Sequence, residues 1–384
     1  MMKGFVRICS CVGLAFLMAV SAVPAQSIED KLPFDTNAKS AVLMDWNTGT
    51  VLYSKNGDAA LPPASVTKVM TLLLVMEAID SGNLALDESI SVSDYAASMG
   101  GSQVFLKPGE TMQTEEMLKC VIIASANDAA VALAEKVAGS EEAFVSRMNE
   151  RAAELGMNNT HFENVTGLDD DTTNHLTSAY DIALMSRELL NHPKILEYSG
   201  IWMDTIRDGA FGLTNTNRLI RFYDGATGLK TGSTAKAKFC ISATAKRENL
   251  HLIAVIMGSE TRDTRNEAAK ALLEWGFANY SVYEKEAAEV GPATVIKGIQ
   301  DTCLGNVQEC RMLLPKGKQK NVCEEYILYE DIPAPVHTGD TIGMVRYHLE
   351  DTILAEVPIT AAENVAEIGF LELLFRMFGI YLMK

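Results

Sequence analysis

Ser65 and Lys68 have the residue types and the spacing of a serine nucleophile and its base. They form a Ser-x-x-Lys motif directly after a Pro-Pro turn, and a helical pattern runs from Ser65 to about Asp80. A helix places residues i and i+3 on one face, one turn apart. Free N–H groups and the positive end of the helix dipole also favour a developing oxyanion there. The motif predicts attack by Ser65 with proton transfer to Lys68, and a helix-capping serine is the alternative interpretation.

Lys230 offers the second cation that a lysine base needs. Lys68 can accept a proton only when its amine is neutral, and a nearby cation lowers the pKa of a lysine. Lys230-Thr231-Gly232 stands immediately before a predicted β-hairpin. Thr231 brings a hydroxyl to the same edge, and Gly232 lets a substrate backbone approach closely. A peptide substrate can then add to this strand edge, while a solvated strand end is the alternative for Lys230.

Ser125 and Asn127 form a third element, a hydroxyl and an amide that flank one alanine between an apolar run and a helical pattern. The hydroxyl can relay a proton, and the amide can hold a substrate carbonyl or amide. Further copies of the motifs have local explanations. The Ser-x-Asn copy at Ser81 closes a helix, and the Ser-x-x-Lys copy at Ser233 lies at a hairpin entry, where the spacing has no helical reason. Together and in this order, the three elements predict a catalytic site.

The composition is that of a folding chain and excludes several function classes. The 384 residues are 48% hydrophobic and 22% charged, which leaves room for two domains with a sizeable core. The 33 basic side chains stand against 50 acidic ones, a net charge of −17. Such a chain does not supply the cationic surface that nucleic acid requires, so nucleic acid is excluded as a partner. The histidines show no metal-ligand spacing, and neither metal nor cofactor is predicted.

The N-terminus has the plan of a secretory signal peptide. Lys3 and Arg7 precede an apolar run over residues 8–23, and small residues follow up to Ala25. A transmembrane anchor is the alternative, but the run is shorter than the roughly 20 residues that a membrane span needs. Residues 1–25 are therefore predicted to be removed, and the mature protein to act outside the cytoplasm.

The cysteines that remain after cleavage of the signal peptide are predicted to be free thiols. Cys9 and Cys11 lie in the signal sequence, so five of the seven cysteines stay in the mature chain and cannot all pair within it. Their spacing matches no Cys-x-x-Cys metal or redox signature. Buried thiols are predicted, with one disulfide among Cys303, Cys310 and Cys323 as the alternative.

Helical and strand-like patterns alternate over the first part of the chain and predict a mixed α/β domain over residues 26–283. Strand-like runs occupy residues 40–45 and 50–53, and a hairpin is predicted from 236–245 and 250–257. Helical patterns occupy residues 65–80, 114–120, 127–137, 141–155, 177–190 and 264–280.

From residue 284 the pattern changes to short strand-like pieces separated by Gly, Pro and Asp. These pieces are residues 293–297, 311–314, 326–329, 341–347 and 353–358. They predict a small all-β domain over residues 284–360.

Residues 361–384 end the chain in a helical pattern that is apolar over nearly its whole circumference. Glu372 and Arg376, one helical turn apart, share its one narrow polar stripe with two glycines. We expect an amphipathic helix that lies in the membrane interface and anchors the protein. A short transmembrane helix and a helix packed on the protein itself are the alternatives.

The Ser65, Ser125 and Lys230 motifs, in this order, resemble the motif set of β-lactamases and penicillin-binding proteins. With its signal sequence, β-domain and amphipathic tail, nearly the whole chain resembles the low-molecular-mass penicillin-binding proteins, the serine-type D-alanyl-D-alanine carboxypeptidases. The resemblance implies a β-lactamase/DD-peptidase-like domain with an antiparallel sheet flanked by helices. It also implies that the terminal D-alanine of peptidoglycan pentapeptides is removed through an acyl-enzyme.

The resemblance assigns roles to individual positions. The implied catalytic residues are Ser65 as the acylated nucleophile, Lys68 as its base, Ser125 as the proton relay and Asn127 as the partner of the substrate amide. The implied substrate-binding residues are Lys230 for the terminal carboxylate, Thr231, Gly232, and Ser233, whose N–H would form the oxyanion hole with that of Ser65. Arg218 and Arg265 match basic positions of the family, and a surface arginine is the alternative for each.

The implied partners are a stem peptide ending in D-Ala-D-Ala, β-lactam antibiotics as acylating inhibitors, and the membrane surface. The implied location is the outer face of the bacterial cytoplasmic membrane. A β-lactamase is one alternative, because Glu154 and Asn158 have the spacing of its deacylation loop, although Gly156 favours a helix end there. A non-catalytic penicillin-binding or wall-binding module is the other.

Overall fold

The computed structural model describes residues 32–382, so the predicted signal peptide at residues 1–25 lies outside the described residues. The chain divides into two compact units. The larger unit contains the residues up to Lys285 together with Glu309–Lys320, and the smaller unit contains Glu286–Gln308 and the residues from Asn321 onward.

Strands and helices alternate over the first part of the described chain, and strands predominate after α9. The strands are β1 (Ser40–Asp45), β2 (Val51–Lys55), β3 (Ser89–Ser91), β4 (Thr111–Gln113), β5 (Met203–Ile206), β6 (Phe211–Thr214), β7 (Ala226–Thr234), β8 (Lys238–Arg247), β9 (Leu250–Ser259), β10 (Tyr280–Lys285), β11 (Ala288–Ile296), β12 (Thr302–Val307), β13 (Cys310–Pro315), β14 (Val322–Leu328), β15 (Ile332–Pro333), β16 (Thr341–Leu349) and β17 (Thr352–Ala361). The helices are α1 (Lys68–Asp80), α2 (Asp94–Ala97), α3 (Thr114–Ile123), α4 (Asn127–Ala138), α5 (Glu141–Glu154), α6 (Ala179–Leu189), α7 (Lys194–Ser199), α8 (Leu219–Phe222), α9 (Arg262–Asn279) and α10 (Phe370–Leu382).

A five-stranded antiparallel sheet, in the order β2-β1-β9-β8-β7, forms the centre of the larger unit. All six residues of β1 are buried, because both faces of the sheet are covered by helices. Ala41 and Leu43 face the apolar cluster that includes α9, while Val42 and Met44 face the cluster that includes α1 and α6. This arrangement confirms the predicted mixed α/β domain with an antiparallel sheet between helices.

Helix α1 is the most buried helix near the site. Every residue from Lys68 to Met76 is buried, and the run is apolar except for Lys68 and Thr71. A helix that is apolar on all sides belongs in the interior of a protein. The sequence pattern predicts a helix from Ser65, but the structure has a 3₁₀ turn at Ala64–Thr67 before α1 begins. Ser65 therefore lies in a tight turn, and Lys68 is the first residue of an interior helix.

Strand β7 differs from its prediction. The sequence places Lys230 before a two-stranded hairpin, whereas the structure has a nine-residue strand at Ala226–Thr234 that pairs with β8. Glycine and polar residues in this segment hide the alternation that marks a strand. Because β7 is the last strand of the sheet, its outer edge is free of a neighbouring strand.

The smaller unit contains a six-stranded sheet in the order β14-β16-β17-β12-β11-β15, antiparallel except for the β11–β15 pair. It confirms the predicted all-β character of this region. Strand β12 has no counterpart among the sequence predictions. Strand β13, one of the predicted pieces, pairs with β10 in the larger unit instead of joining this sheet.

Helix α10 ends the described chain, and no helix within residues 32–382 is both long and apolar enough to cross a bilayer. Arg376 lies one helical turn from Glu372, and its guanidinium lies 2.8 Å from Asp301 Oδ1 and also donates to the carbonyl of Ile299.

The five cysteines of the described residues are free thiols. Four of them are buried, as predicted. Cys323 is exposed, contrary to the prediction of a buried thiol, because β14 is an edge strand of the six-stranded sheet.

Close packing of α9 on the sheet depends on Gly276. A Cβ at this position would lie 2.5 Å from Leu252 Cδ1 and 3.0 Å from Leu43 Cδ2, both in the buried core. We expect Gly276→Ala to lower the free energy of unfolding by about 1–3 kcal/mol, because overpacking outweighs the gain in helix propensity. Denaturant unfolding measures it. Gly212→Ala, with no atom within 4 Å of its Cβ, is the control and should change stability little. Equal stabilities for the two variants would contradict the packing argument.

Candidate active site

The Ser65 hydroxyl and the Lys68 amine meet at the junction of the 3₁₀ turn and α1. Lys68 Nζ lies 3.1 Å from Ser65 Oγ, and Lys68 is fully buried whereas Ser65 is partly accessible. The i, i+3 spacing brings the two side chains together, as the motif predicts, although through a tighter turn than an α-helix. A hydroxyl that solvent can reach and an amine that it cannot reach are thus in hydrogen-bonding contact.

The hydrogen-bond partners of the Lys68 amine are uncharged oxygens, and none of them belongs to a carboxylate. Besides Ser65 Oγ, it donates to Asn127 Oδ1 at 2.6 Å and to the carbonyl of Thr166 at 2.8 Å. Burial, and next the positive charge of Lys230, hold the pKa of Lys68 well below its usual value of 10.5. Both effects disfavour the charged ammonium. The surroundings of Lys68 therefore favour the neutral amine, the form that can accept a proton.

Ser125 faces Lys230 across the site from Ser65. It lies in the connection between α3 and α4 with a positive φ of 64°, and Lys230 Nζ donates to its Oγ at 2.8 Å. The Lys230 amine also donates to the carbonyl of Thr231 at 2.8 Å. Burial, and then the charge of Arg265, lower the pKa of Lys230 to about 7. A hydroxyl that is hydrogen-bonded to an amine with a pKa of about 7 can take part in proton transfer.

Asn127 begins α4 and fixes the third motif in place. While its Oδ1 accepts from Lys68, its Nδ2 donates to the carbonyl of Gly100 at 2.7 Å, and its backbone N–H donates to Ser102. The next residue, Asp128, is fully buried and accepts hydrogen bonds from the backbone of the same loop. The loop over residues 100–106 therefore forms one wall of the site and depends on α4 for its position.

Strand β7 forms the opposite wall. Thr231 is buried and donates to Thr216 Oγ1 at 2.8 Å. A Cβ on Gly232 would lie 2.9 Å from the backbone nitrogen of Ser65. Only a glycine lets the strand approach Ser65 so closely. Ser233 follows at the exposed end of the strand. The Ser65, Ser125 and Lys230 motifs, with Ser233 at the end of β7, are thus brought together at one site.

The two arginines have different environments. Arg265 lies in the first turn of α9, within the predicted helical segment, and it is buried with both Nε and Nη2 donating to Asn266 Oδ1. Burial and the neighbouring Arg262 lower its pKa to about 10. Arg218 is exposed immediately before α8. The surface alternative is therefore wrong for Arg265 and holds for Arg218 in this structure.

The duplicate motifs have structural roles. Lys236, of the second Ser-x-x-Lys match, donates to the carbonyl of Asp169, and Thr234 donates to the carboxylate of that residue. These bonds tie the β7–β8 turn to the loop after Thr166. Glu154, at the end of α5, lies 3.1 Å from Arg151 and is exposed. Gly156 has a φ of 72°, as a helix end requires, so Glu154 belongs to a helix terminus and not to a deacylation loop.

Several contacts of the site have no recognisable signal in the amino-acid sequence. The carbonyls of Thr166 and Gly100 hold Lys68 and Asn127, but a backbone carbonyl is common to every residue type and gives no sequence signal. A turn around Gly167 is the one local signal near Thr166. Within residues 32–382 no three His, Cys, Asp or Glu side chains are grouped as metal ligands would be.

Comparisons with known proteins cover both units. A family model described as D-alanyl-D-alanine carboxypeptidase matches residues 25–261, and one described as Penicillin-binding protein 5, C-terminal domain, matches residues 277–367. The D-alanyl-D-alanine carboxypeptidase DacF of Bacillus subtilis (strain 168) is 44% identical over 349 residues, covering 89% of each chain.

Two solved structures are also similar. Penicillin binding protein 5 from Haemophilus influenzae has a TM-score of 0.76 and 30% identity, and the match covers 88% of this chain and all of that one. Penicillin-binding protein D2 from Listeria monocytogenes, in an ampicillin-bound form, has a TM-score of 0.58 and 32% identity. That match covers 63% of this chain and 98% of the other.

We expect Lys230→Gln to raise the pKa of Lys68, because the substitution removes the positive charge that disfavours a second ammonium nearby. A pH titration of the lysine side-chain NMR signals, with Lys68 assigned by substitution, measures this. Lys107→Gln, which removes an exposed lysine, is the matched control and should leave the Lys68 curve unchanged. A Lys68 titration at the same or lower pH in Lys230→Gln would contradict the electrostatic coupling.

Proposed function

This chain belongs to the D-alanyl-D-alanine carboxypeptidase family, and we propose that it removes the terminal D-alanine of peptidoglycan pentapeptides through an acyl-enzyme on Ser65. The position of the Lys68 amine carries the proposal. It is buried against Ser65 Oγ, and its other hydrogen-bond partners are the neutral oxygens of Asn127 and Thr166. A neutral amine has two protons and one lone pair. With its protons directed at those two oxygens, the lone pair faces the Ser65 hydroxyl.

Acylation begins with this hydroxyl. Lys68 Nζ takes the proton of Ser65 Oγ as the oxygen bonds to the carbonyl carbon of the penultimate D-alanine. The backbone N–H groups of Ser65 and Ser233 stabilise the oxyanion that forms. When the tetrahedral species collapses, the bond to the terminal D-alanine breaks. The proton returns through Ser125 to the leaving amine, which departs as free D-alanine.

Substrate binding depends on the free edge of β7 and on local positive charge. The stem peptide adds to this edge, with Gly232 admitting its backbone and Asn127 holding its amide. Lys230 and the two arginines provide the positive charge that attracts the terminal carboxylate. Thr231 adds a hydroxyl beside Lys230. Buried Arg265 acts through its field on Lys230, and exposed Arg218 is free to reach the carboxylate directly.

Hydrolysis of the acyl-enzyme uses the same groups. Lys68, neutral again once the D-alanine has left, takes a proton from water as the water oxygen attacks the ester carbonyl. Ser65 then regains its proton and the shortened peptide is released. β-Lactams acylate Ser65 in the same way. Because Glu154 is paired at the end of α5, it is not a base for rapid release of a penicilloyl group, which weighs against a β-lactamase.

We expect the mature protein to release D-alanine from a pentapeptide ending in D-Ala-D-Ala, and Ser65→Ala to reduce that rate at least about a thousandfold. A coupled D-alanine assay measures this. Ser81→Ala, which removes an exposed serine of the duplicate Ser-x-Asn motif, should retain full activity. If the unsubstituted protein released no D-alanine at any pH, the proposed enzymatic function would be wrong. Loss of label from a penicilloyl-protein within seconds would favour the β-lactamase.

We further propose that the protein is exported and held at the outer face of the cytoplasmic membrane. In this proposal residues 1–25 are the signal peptide, 26–283 the catalytic domain, 284–360 a spacer and 361–384 the anchor. The support comes from α10, whose Phe370, Leu371 and Phe375 are 77%, 67% and 74% exposed. Apolar side chains exposed in a row at a helix end favour burial in a lipid interface.

We expect Phe370→Ser with Phe375→Ser to reduce binding to phosphatidylglycerol vesicles at least about tenfold, because each phenylalanine loses its apolar burial in the interface. Vesicle flotation measures the bound fraction. Phe105→Ser with Phe222→Ser, two exposed phenylalanines of the larger unit, is the matched control and should bind as before. Equal losses in both double variants would count against a specific anchor.

A further inference from the structure

A buried chain of hydrogen bonds lies behind the turn that carries Ser65. His175 is 3% exposed, and its Nε2 is 2.7 Å from the hydroxyl oxygen of Thr67, which is fully buried. The Thr67 hydroxyl donates to the carbonyl of Ala64 at 2.9 Å. On the other side of the ring, Nδ1 accepts the backbone N–H of Glu163 at 2.9 Å. The chain of bonds runs from Glu163 through His175 and Thr67 to the residue before the nucleophile.

The direction of each bond in this chain is fixed. Thr67 has one hydroxyl proton, which goes to Ala64, so its oxygen accepts from His175 Nε2–H. Because His175 Nδ1 accepts from a backbone N–H, the ring is the neutral tautomer protonated at Nε2. Burial lowers the pKa of His175 to about 4, in agreement with a neutral ring.

This series of hydrogen bonds ends at the carbonyl of Ala64, where the backbone conformation is unfavourable. Ala64 has a positive φ of 50°, a left-handed conformation that is unfavourable for a residue with a Cβ. Its carbonyl also packs against Gly167, where a Cβ would overlap the Ala64 oxygen. Gly167 directly follows Thr166, whose carbonyl accepts from Lys68. The orientation of one peptide group, Ala64–Ser65, is therefore tied to both the nucleophile and its base.

We propose that His175 and Thr67 are positioning residues that hold the Ala64 carbonyl, and through it the Ser65 turn, in the geometry required for acylation. This inference rests on the proposed acyl-enzyme function. Neither residue touches the substrate. Their effect is on the alignment of Ser65 Oγ and of the Ser65 N–H in the oxyanion hole, where a displacement of about 1 Å costs on the order of a hundredfold in rate. Because both lie behind the cleft, substrate affinity does not depend on them.

The first test compares Thr67→Val with Thr67→Ser in the mature protein. Valine keeps the shape and removes the hydroxyl, whereas serine keeps the hydroxyl. A fluorescent penicillin, followed as a function of its concentration, separates the acylation rate constant from the affinity of the initial complex. We expect Thr67→Val to lower the rate constant about 10- to 100-fold with unchanged affinity, and Thr67→Ser to remain within about threefold of the unsubstituted protein.

The second test uses a matched pair at His175. In His175→Gln the amide nitrogen can take the place of Nε2 and keep the bond to Thr67. In His175→Asn the shorter amide can take the place of Nδ1 and keep only the bond to Glu163. We expect the Gln variant to acylate faster than the Asn variant. Because the two residues act in one chain, Thr67→Val combined with His175→Asn should lose no more than about the larger single loss.

The outcomes are separable. If the unsubstituted protein is not acylated, the proposed function fails. If it is acylated, but Thr67→Val reacts at the same rate or loses affinity instead of rate, the positioning inference alone is wrong. Equal rates for the Gln and Asn variants, or additive losses in the double variant, would also overturn it. Thermal unfolding of each variant identifies any that does not fold, and the remaining pair then decides.

Discussion

The burial of the Lys68 amine is the constraint on which the site depends. An ammonium group in this position would lose its hydration and would have another cation as its neighbour, and no carboxylate takes part in its hydrogen bonds within the described residues. Such a group is stable in the interior chiefly as a neutral amine. The fold therefore favours the neutral form of a residue that is normally charged at neutral pH.

The rest of the larger unit supplies what a neutral lysine needs. Helix α1 is apolar on all sides and buries the amine at its first residue, while α4 and the loop after Phe162 provide two oxygens for its protons. Strand β7 brings Lys230 near enough to repel a proton from Lys68, yet its amine is held by Ser125 and so stays out of direct contact. Desolvation and like charge act in the same direction, so neither has to be extreme.

The cationic side chains of the site differ in how deeply they are buried. Lys68 and Lys230 are fully buried, Arg265 is buried in the first turn of α9, and Arg218 is exposed. The buried cations influence one another over a distance, since Arg265 lowers the pKa of Lys230 and Lys230 lowers that of Lys68. In a protein with a net charge of −17, this small cationic region is local to the site.

The sequence by itself identified the candidate side chains that the structure brings together, because Ser65 with Lys68, Ser125 with Asn127, and Lys230 with its neighbours are recognisable by residue type and short spacing. It also predicted six helices of the larger unit and its strands β1, β2, β8 and β9, since their apolar periodicity is local. Only the tertiary structure decided that Arg265 is buried, that β7 is an edge strand, and that Thr166, Gly100 and His175 support the motifs. Those contacts join residues up to about a hundred positions apart, and many use backbone atoms. A backbone carbonyl has no residue identity, so its role is set by where the folded chain places it.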